Sequence, residues 1–63
     1  MRLVELYQVE LPYATFGIVV TDNIVVEAAP IGKWMIGKLL PKISNWVVSK
    51  RGNMRMVKGE EVD

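Results

Sequence analysis

Residues 28–38 read Ala28-Ala29-Pro30-Ile31-Gly32-Lys33-Trp34-Met35-Ile36-Gly37-Lys38, and this stretch joins a strand pattern to a helix pattern. Pro30 suits the first turn of a helix, where its missing N–H removes no hydrogen bond. Ile31, Trp34 and Met35 follow at helical spacing, and Gly37 can end a helix in a left-handed cap. The stretch therefore predicts a short first helix between Pro30 and Gly37.

A first strand is predicted over residues 2–10, which place Glu5, Tyr7 and Val9 on one face. Neither face is wholly polar, which favours a strand that is covered in part on both sides. Pro12 ends this run because it cannot donate a hydrogen bond to a sheet.

A hairpin is predicted next. Residues 15–21 are rich in β-branched and aromatic side chains, and Gly17 among them indicates a bulge or a close backbone approach. Asp22-Asn23 forms a good two-residue turn because both residue types tolerate positive φ. Residues 24–28 then return as the third strand.

A second helix is predicted to start at Pro41 and to stop at Gly52. Its apolar stripe comprises Ile43, Trp46, Val47 and either Leu39 or Leu40. The alternative is one kinked helix over 30–51, but two glycines and a proline within eight residues argue against it.

The last part of the chain alternates again over residues 54–58, which indicates a fourth strand. Residues 59–63 are interpreted as an acidic, frayed tail. The predicted fold is α+β, with a three-stranded antiparallel meander, two short helices on one face and a last strand that closes or extends the sheet. Residues 1–58 form one small domain.

Composition limits the function. The 63 residues contain no cysteine and no histidine, which removes disulfides, the usual soft metal ligands and the common catalytic bases. We therefore expect no enzyme, no cofactor and no metal site. Hydrophobic residues make up 51% of the chain, more than so small a surface hides easily, so a homo-oligomer (a dimer or larger) is expected. No apolar stretch approaches the ~20 residues of a membrane span, which favours a soluble, cytoplasmic protein.

Charge is segregated along the sequence. Residues 1–30 carry a net charge of −3, residues 31–58 a net charge of +7 with no acidic residue, and residues 59–63 a net charge of −3. Cations that share one face would attract phosphate groups. The alternative is that they are solubility charges spread around two helices, balanced by an acidic face of a neighbouring subunit.

The predicted ligand-binding residues lie at and after the Pro30 junction. They are Gly32, Lys33, Trp34, Lys38, Lys42 and Arg51. Backbone amides at a helix start, a glycine and a lysine can cradle a phosphate, although the P-loop spacing is missing. The other interpretation is a strand-to-helix corner that needs small residues for packing. Trp34 and Trp46 could stack on bases, but tryptophan in a small domain is more often a core or interface anchor.

The sequence also resembles a group of very small proteins encoded in phages, proviruses and some archaeal and bacterial genomes. The residues that carry the resemblance are Tyr13-Ala14, Phe16-Gly17-Ile18-Val19, Asn23-Ile24-Val25, Ala28-Ala29-Pro30-Ile31, Lys33-Trp34, Gly37-Lys38, Trp46 and Lys50-Arg51-Gly52. The resemblance implies a mobile-element origin, with the cytoplasm of a host cell as location, and no established activity or catalytic residue.

The functional prediction is non-catalytic binding of an anionic ligand by an oligomer. The ligand would be a nucleotide, including a signalling nucleotide sequestered in phage–host conflict (an anti-defence role), or a nucleic acid. The first alternative is an interaction protein that docks on and inhibits a host protein through Trp34, Met35 and Ile36. The second is a purely structural assembly protein.

Overall fold

The computed structural model describes residues 2–62 and shows an α+β fold built on a four-stranded antiparallel sheet. The strands are β1 (Arg2–Leu11), β2 (Ala14–Thr21), β3 (Ile24–Ala28) and β4 (Asn53–Val62). A 3₁₀ helix (Pro30–Met35) and one α-helix, α1 (Leu40–Ser49), connect β3 to β4. The α+β class is thus confirmed, with four strands instead of a three-stranded core.

Two tight turns create the meander. Pro12 and Tyr13 join β1 to β2, and Asp22 and Asn23 join β2 to β3. Asp22 and Asn23 have φ values of 53° and 66°, as the predicted two-residue turn requires. The sheet order is β3-β2-β1-β4, so the chain crosses over the sheet after β3 and returns as β4 beside β1.

One face of the sheet carries the core. Cross-strand partners share a face, and Val9 on β1 lies opposite Phe16 on β2, both buried. Packing across this face comes from the 3₁₀ helix and α1. The buried core consists of Val9, Leu11, Phe16, Ile18, Val20, Val25, Met35, Ile43 and Val47.

The helix stripe follows the predicted spacing. Ile43 and Val47 of α1 are fully buried, and Leu40 and Trp46 are half-buried against the core. Leu39, the other option for this stripe, is 58% exposed. The stripe therefore uses Leu40, which lies one turn before Ile43 and faces the sheet with it.

The outer edge of β3 is covered by the segment that links the two helices. The Gly37 N–H donates to the Val25 carbonyl (2.8 Å), and the Val25 N–H donates to the Lys38 carbonyl (3.0 Å). Leu39 forms an isolated antiparallel bridge with Ile24. These bonds satisfy backbone groups that a sheet edge would otherwise leave to solvent.

β4 contrasts with β3, because it extends along β1 beyond the helices. Only Met54 of its ten residues is half-buried, and the other nine are exposed. Tyr7 pairs with Met56 but Leu6 pairs with Lys58, so Val57 is an extra residue in a bulge. The molecule is accordingly elongated, with extents of 36 × 20 × 20 Å.

Two predicted details of the middle of the chain differ in the structure. The first helix is a 3₁₀ helix, because Gly32 and Met35 face the sheet together and a spacing of three matches three residues per turn. Gly17 lies in regular pairing opposite Gln8, and the bulge in this hairpin falls instead at Val26 of β3.

The C-terminal expectations also change. Residues 59–62, predicted as a frayed tail, belong to β4 and pair with residues 2–5 of β1. Hydrogen bonding to β1 is the physical reason, since it orders a stretch whose composition alone indicates a loose end. Asp63, the remaining residue of that predicted tail, lies outside the described residues.

Candidate functional site

The 3₁₀ helix divides its residues between core and solvent by their spacing. Residues three apart are eclipsed in a 3₁₀ helix. Gly32 and Met35 are buried, whereas Ile31 and Trp34 are exposed, Trp34 by 46%. The 3₁₀ helix after Pro30 therefore exposes Ile31 and Trp34 and buries Gly32 and Met35 in the core.

Gly32 is fixed by packing. A β-carbon at this position would lie 2.7 Å from Cε2 of Phe16, and the Gly32 N–H already donates to the Ala29 carbonyl at 2.8 Å. One of the backbone amides at the helix start that were expected to cradle an anion is thus used within the chain. These contacts fit the interpretation that the corner needs a small residue for packing. Contact of Gly32 with a ligand remains a prediction.

Trp34 and Trp46 meet directly. Their ring centroids are 4.9 Å apart with planes inclined by 70°, an edge-to-face arrangement. Trp46 is half-buried against the core, so it holds the more exposed Trp34 in a fixed orientation. Ser49 Oγ donates to the Trp46 carbonyl at 2.6 Å at the end of the same helix.

Three of the predicted cations come from the segments that carry or flank the two tryptophans. Lys33 precedes Trp34, and the Lys38 N–H donates to the Met35 carbonyl at 2.9 Å where the 3₁₀ helix ends. Lys42 lies in the first turn of α1, four residues before Trp46 and therefore on the same side of the helix. We call Lys33, Trp34, Lys38, Lys42 and Trp46 the tryptophan face.

Arg51 is separated from this group. It follows the last turn of α1, and a ten-residue helix is about 15 Å long. The next residue, Gly52, packs so closely on β1 that an added β-carbon would lie 2.6 Å from the Glu10 carbonyl oxygen. Arg51 and Lys50 therefore lie by the β1–β2 turn, at the opposite end of α1 from Lys42.

The cations of the tryptophan face have no carboxylate partner within residues 2–62. In that range the one ion pair joins Lys58 Nζ to Glu60 Oε2 at 3.6 Å, on the exposed surface of β4. Lys33, Lys38 and Lys42 are all exposed. Among residues 2–62, none of these three lysines is therefore paired with a carboxylate.

Comparison with known proteins gives no guide to function: no protein-family model matches the chain, and no curated protein or solved structure is significantly similar to it. Within residues 2–62 no helix has the length and apolar character needed to cross a membrane. In the same range, no cluster of three carboxylates could hold a metal ion.

A second feature lies on the sheet face opposite the helices, where sequence analysis placed no site. A shallow depression of about 160 Å³ is lined by Val4, Glu5, Leu6, Val19, Lys58 and Glu60. It contains none of the predicted ligand-binding residues. The signal that could have found it is the alternation of β1, whose even positions include Val4 and Leu6 on the face away from the helices.

Proposed function

We propose that the protein is a non-catalytic binding module for a single-stranded nucleic acid, acting as an oligomer, and that the tryptophan face is its ligand-binding surface. The observation that supports this proposal is the contact between Trp34 and Trp46 at 4.9 Å, with three lysines nearby in the chain that have no carboxylate partner in the described range of residues.

The aromatic part of the proposal rests on exposure and support. Proteins bind single strands by stacking bases on aromatic side chains while cations follow the phosphates. Trp34 is 46% exposed, so part of its ring is open to a base, and the edge-to-face contact with Trp46 limits its rotation. A platform that is already ordered costs less entropy on binding.

The placement of the lysines on an exposed surface favours a ligand with several phosphates in a row over a single nucleotide. Lys33, Lys38 and Lys42 come from three consecutive segments around Trp34 and lie on an exposed surface. The depression of about 160 Å³ lies on the other side of the sheet. An extended polyanion can contact several separate cations, whereas a mononucleotide is usually held in a concave pocket.

The test is a titration of tryptophan fluorescence with a short oligothymidylate at two salt concentrations. Three phosphate contacts predict that affinity falls about 20-fold between about 50 mM and 200 mM salt. The triple variant Lys33→Gln, Lys38→Gln, Lys42→Gln should lose most of the affinity and most of the salt dependence. Trp34→Ala should weaken binding about tenfold or more at either salt concentration, and Trp34→Phe should retain most of the affinity.

A matched control removes the same charge elsewhere. The triple variant Arg2→Gln, Arg51→Gln, Lys58→Gln has the same net charge as the first triple variant but leaves the tryptophan face intact. It should bind nearly as the unmodified protein does. Equal losses in the two triple variants, or no salt-sensitive quenching in the unmodified protein, would contradict the proposal.

One observation favours a second candidate, a protein-docking surface. Ile31, Ile36 and Leu39 are exposed around the same lysines, and an apolar centre with a polar rim is typical of protein interfaces. This candidate predicts that Ile36→Ser abolishes binding of a partner protein that survives nuclease and moderate salt. Binding of the oligothymidylate should be unchanged in that variant if the nucleic acid proposal holds.

A further inference from the structure

The sheet has one covered edge and one open edge. Residues 37–39 cover β3, whereas the outer edge of β4 pairs with no other strand in the described part of the chain. β4 is ten residues long, so this edge extends for about 33 Å. Unpaired backbone groups over that length form a ready template for another strand.

We propose that two copies of the chain associate through their β4 edges, antiparallel and in the register that places Arg55 of each copy opposite Glu60 of the other. This inference deepens the oligomer in the proposed function and depends on none of its ligand chemistry. Variants on β4 leave the tryptophan face unchanged, so failure of one proposal is distinguishable from failure of the other.

The register follows from symmetry and from the bulge. Two identical antiparallel edge strands are related by a two-fold axis perpendicular to the sheet, so each residue must lie opposite one that points to the same face. Met54 and Met56 lie opposite Val9 and Tyr7 of β1, which point to the helix-covered face.

Beyond the bulge the alternation changes phase. Gly59 and Glu61 share the helix-covered face because they pair with Glu5 and Leu3, whereas Lys58, Glu60 and Val62 share the open face. In a two-fold antiparallel pair, the residue numbers of all partners add up to the same sum. Without a bulge this sum must be even, because residues on one face are two apart. Here the bulge at Val57 changes the phase, so residues before it share a face with residues after it only when the sum is odd.

One odd sum satisfies the strand on both sides of the bulge. With the axis between Val57 and Lys58, residues 53–56 and 59–62 find partners on their own face, and Val57, the bulge residue, lies opposite Lys58. The resulting cross-strand pairs are Asn53 with Val62, Met54 with Glu61, Arg55 with Glu60, Met56 with Gly59, and Val57 with Lys58. Shifting the sum by two in either direction places a residue of one face opposite a residue of the other.

Charge and size agree with this register. Opposite charges directly across a strand pair stabilise it, and the symmetry produces the Arg55–Glu60 contact twice. Glu60 already holds Lys58 through Oε2 at 3.6 Å, which leaves Oε1 for the partner arginine. Met56 lies opposite Gly59, the residue with no side chain to obstruct it.

Apolar exposure also favours a second copy. Met56 and Val57 are 54% and 55% exposed, and Leu3, Leu6 and Val62 are exposed on the same two strands. A lysine and a bulge often protect a sheet edge. In this register, however, Lys58 and the bulge at Val57 lie at the centre of the interface. The bulges of the two copies then lie opposite each other, and the residues on either side remain paired with residues of the same face.

The test measures sedimentation equilibrium of the full chain and of three charge variants. The unmodified protein should sediment at twice its 7.1 kDa mass. Arg55→Glu alone and Glu60→Arg alone should each weaken dimerisation roughly tenfold or more, because like charges then face each other at both contacts. An equimolar mixture of the two variants should recover the dimer, since every contact in the mixed pair is again between opposite charges.

The control is Lys58→Glu mixed with Glu60→Arg. Lys58→Glu changes the net charge by the same amount as Arg55→Glu, so general attraction between the two variants is equal. Lys58→Glu alone should dimerise as the unmodified protein does, because position 58 faces Val57 in the proposed register, and in the mixture the Glu60→Arg chain should remain largely monomeric. Circular dichroism of each variant checks that the fold is retained.

The outcomes decide between alternatives. Recovery by the Arg55→Glu mixture alone supports the proposed interface. Loss of the dimer in Lys58→Glu alone, together with its recovery on mixing with Glu60→Arg, would place Lys58 opposite Glu60 and overturn the register. A protein that is monomeric at all concentrations, or a dimer insensitive to all three folded variants, would overturn the interface itself.

Discussion

Gly32 packs against the ring of Phe16 with no room for a side chain: a β-carbon at position 32 would lie 2.7 Å from Cε2 and 3.3 Å from both Cδ2 and Cζ. Phe16 is itself buried and cannot yield without disturbing the core. The close contact brings the 3₁₀ helix onto the sheet and so sets the position of Trp34.

This contact predicts that Gly32→Ala lowers the free energy of unfolding by about 1–3 kcal/mol, because the added methyl overpacks the core. Urea denaturation followed by circular dichroism measures the change. Gly17→Ala is the matched control, since its β-carbon would meet nothing closer than 3.7 Å. An unfolding midpoint for Gly32→Ala equal to that of Gly17→Ala would contradict the prediction.

Arg51 predicts a stabilising substitution. It ends α1 with φ of 61°, a left-handed conformation that costs most residues energy and glycine little. We expect Arg51→Gly to raise the free energy of unfolding by about 0.5–1 kcal/mol. Lys50→Gly should instead lower it, because Lys50 has φ of −94° and gains nothing from a glycine. Thermal unfolding of the two variants should shift in opposite directions.

Tyr7 predicts a loss of stability at high pH. Burial, and then the neighbouring charge of Glu5, raise the pKa of the Tyr7 phenol above its ordinary value of 10.0. In the unfolded chain the phenol ionises at that lower value, so the unfolded state binds fewer protons between the two pKa values. The contribution of the neutral phenol is therefore complete below pH 10.0 and is lost as the pH rises through the folded pKa.

The measurement compares the unfolding midpoint of the unmodified protein with that of Tyr7→Phe across this alkaline range. Lysine titration is common to both proteins and cancels in the difference. The unmodified protein should lose stability faster than Tyr7→Phe as the pH rises above 10.0. Parallel curves would show that the environment of the phenol does not differ between the folded and unfolded states.

Met35 predicts the largest loss among the residues of the 3₁₀ helix. It is fully buried, and Met→Ala at such a position leaves a cavity that costs about 2–5 kcal/mol. Trp34→Ala, one residue earlier and partly exposed, should cost less stability although it should abolish stacking. If Trp34→Ala proved the more destabilising of the two, the ring would be a core anchor and not an open platform.

The sequence predicted the local structure well because its signals are local. Asp22 and Asn23 indicate a turn because both residue types tolerate positive φ, and both have positive φ in the structure. Gly37 was predicted to end the first helix in a left-handed cap; it has the positive φ (87°), but Ile36 is the cap residue and Gly37 lies in the next turn, which the Lys38 N–H closes on the Met35 carbonyl. Ile43 and Val47 face the core as their spacing of four requires.

The remaining features depend on partners distant in the chain. Nothing in residues 53–62 tells whether β4 lies beside β1 or beside β3, since either edge of the meander could accept it. The bulges at Val26 and Val57 fall on β-branched residues without turn chemistry, and only the strand opposite defines them. Arg51 takes the left-handed position because Gly52 is needed against β1.

The candidate site was predicted in part for the same reason. Lys33, Lys38 and Lys42 are close to Trp34 in sequence and come from the 3₁₀ helix, the segment after it and the first turn of α1. Arg51 was included among the predicted ligand-binding residues only because of its charge. In the structure it follows the C-terminus of α1, whereas Lys38 and Lys42 lie at the N-terminus of that helix. The contact of Trp34 with Trp46 was beyond sequence analysis, since it depends on how the 3₁₀ helix crosses α1.

The hydrogen bonds between Val25 and residues 37 and 38 have a consequence for how far assembly can proceed. A subunit with two bare margins could add neighbours without limit and grow into a fibril. Because this subunit occupies one margin with its own backbone, joining a single neighbour would use up its capacity for sheet extension, and growth would terminate there.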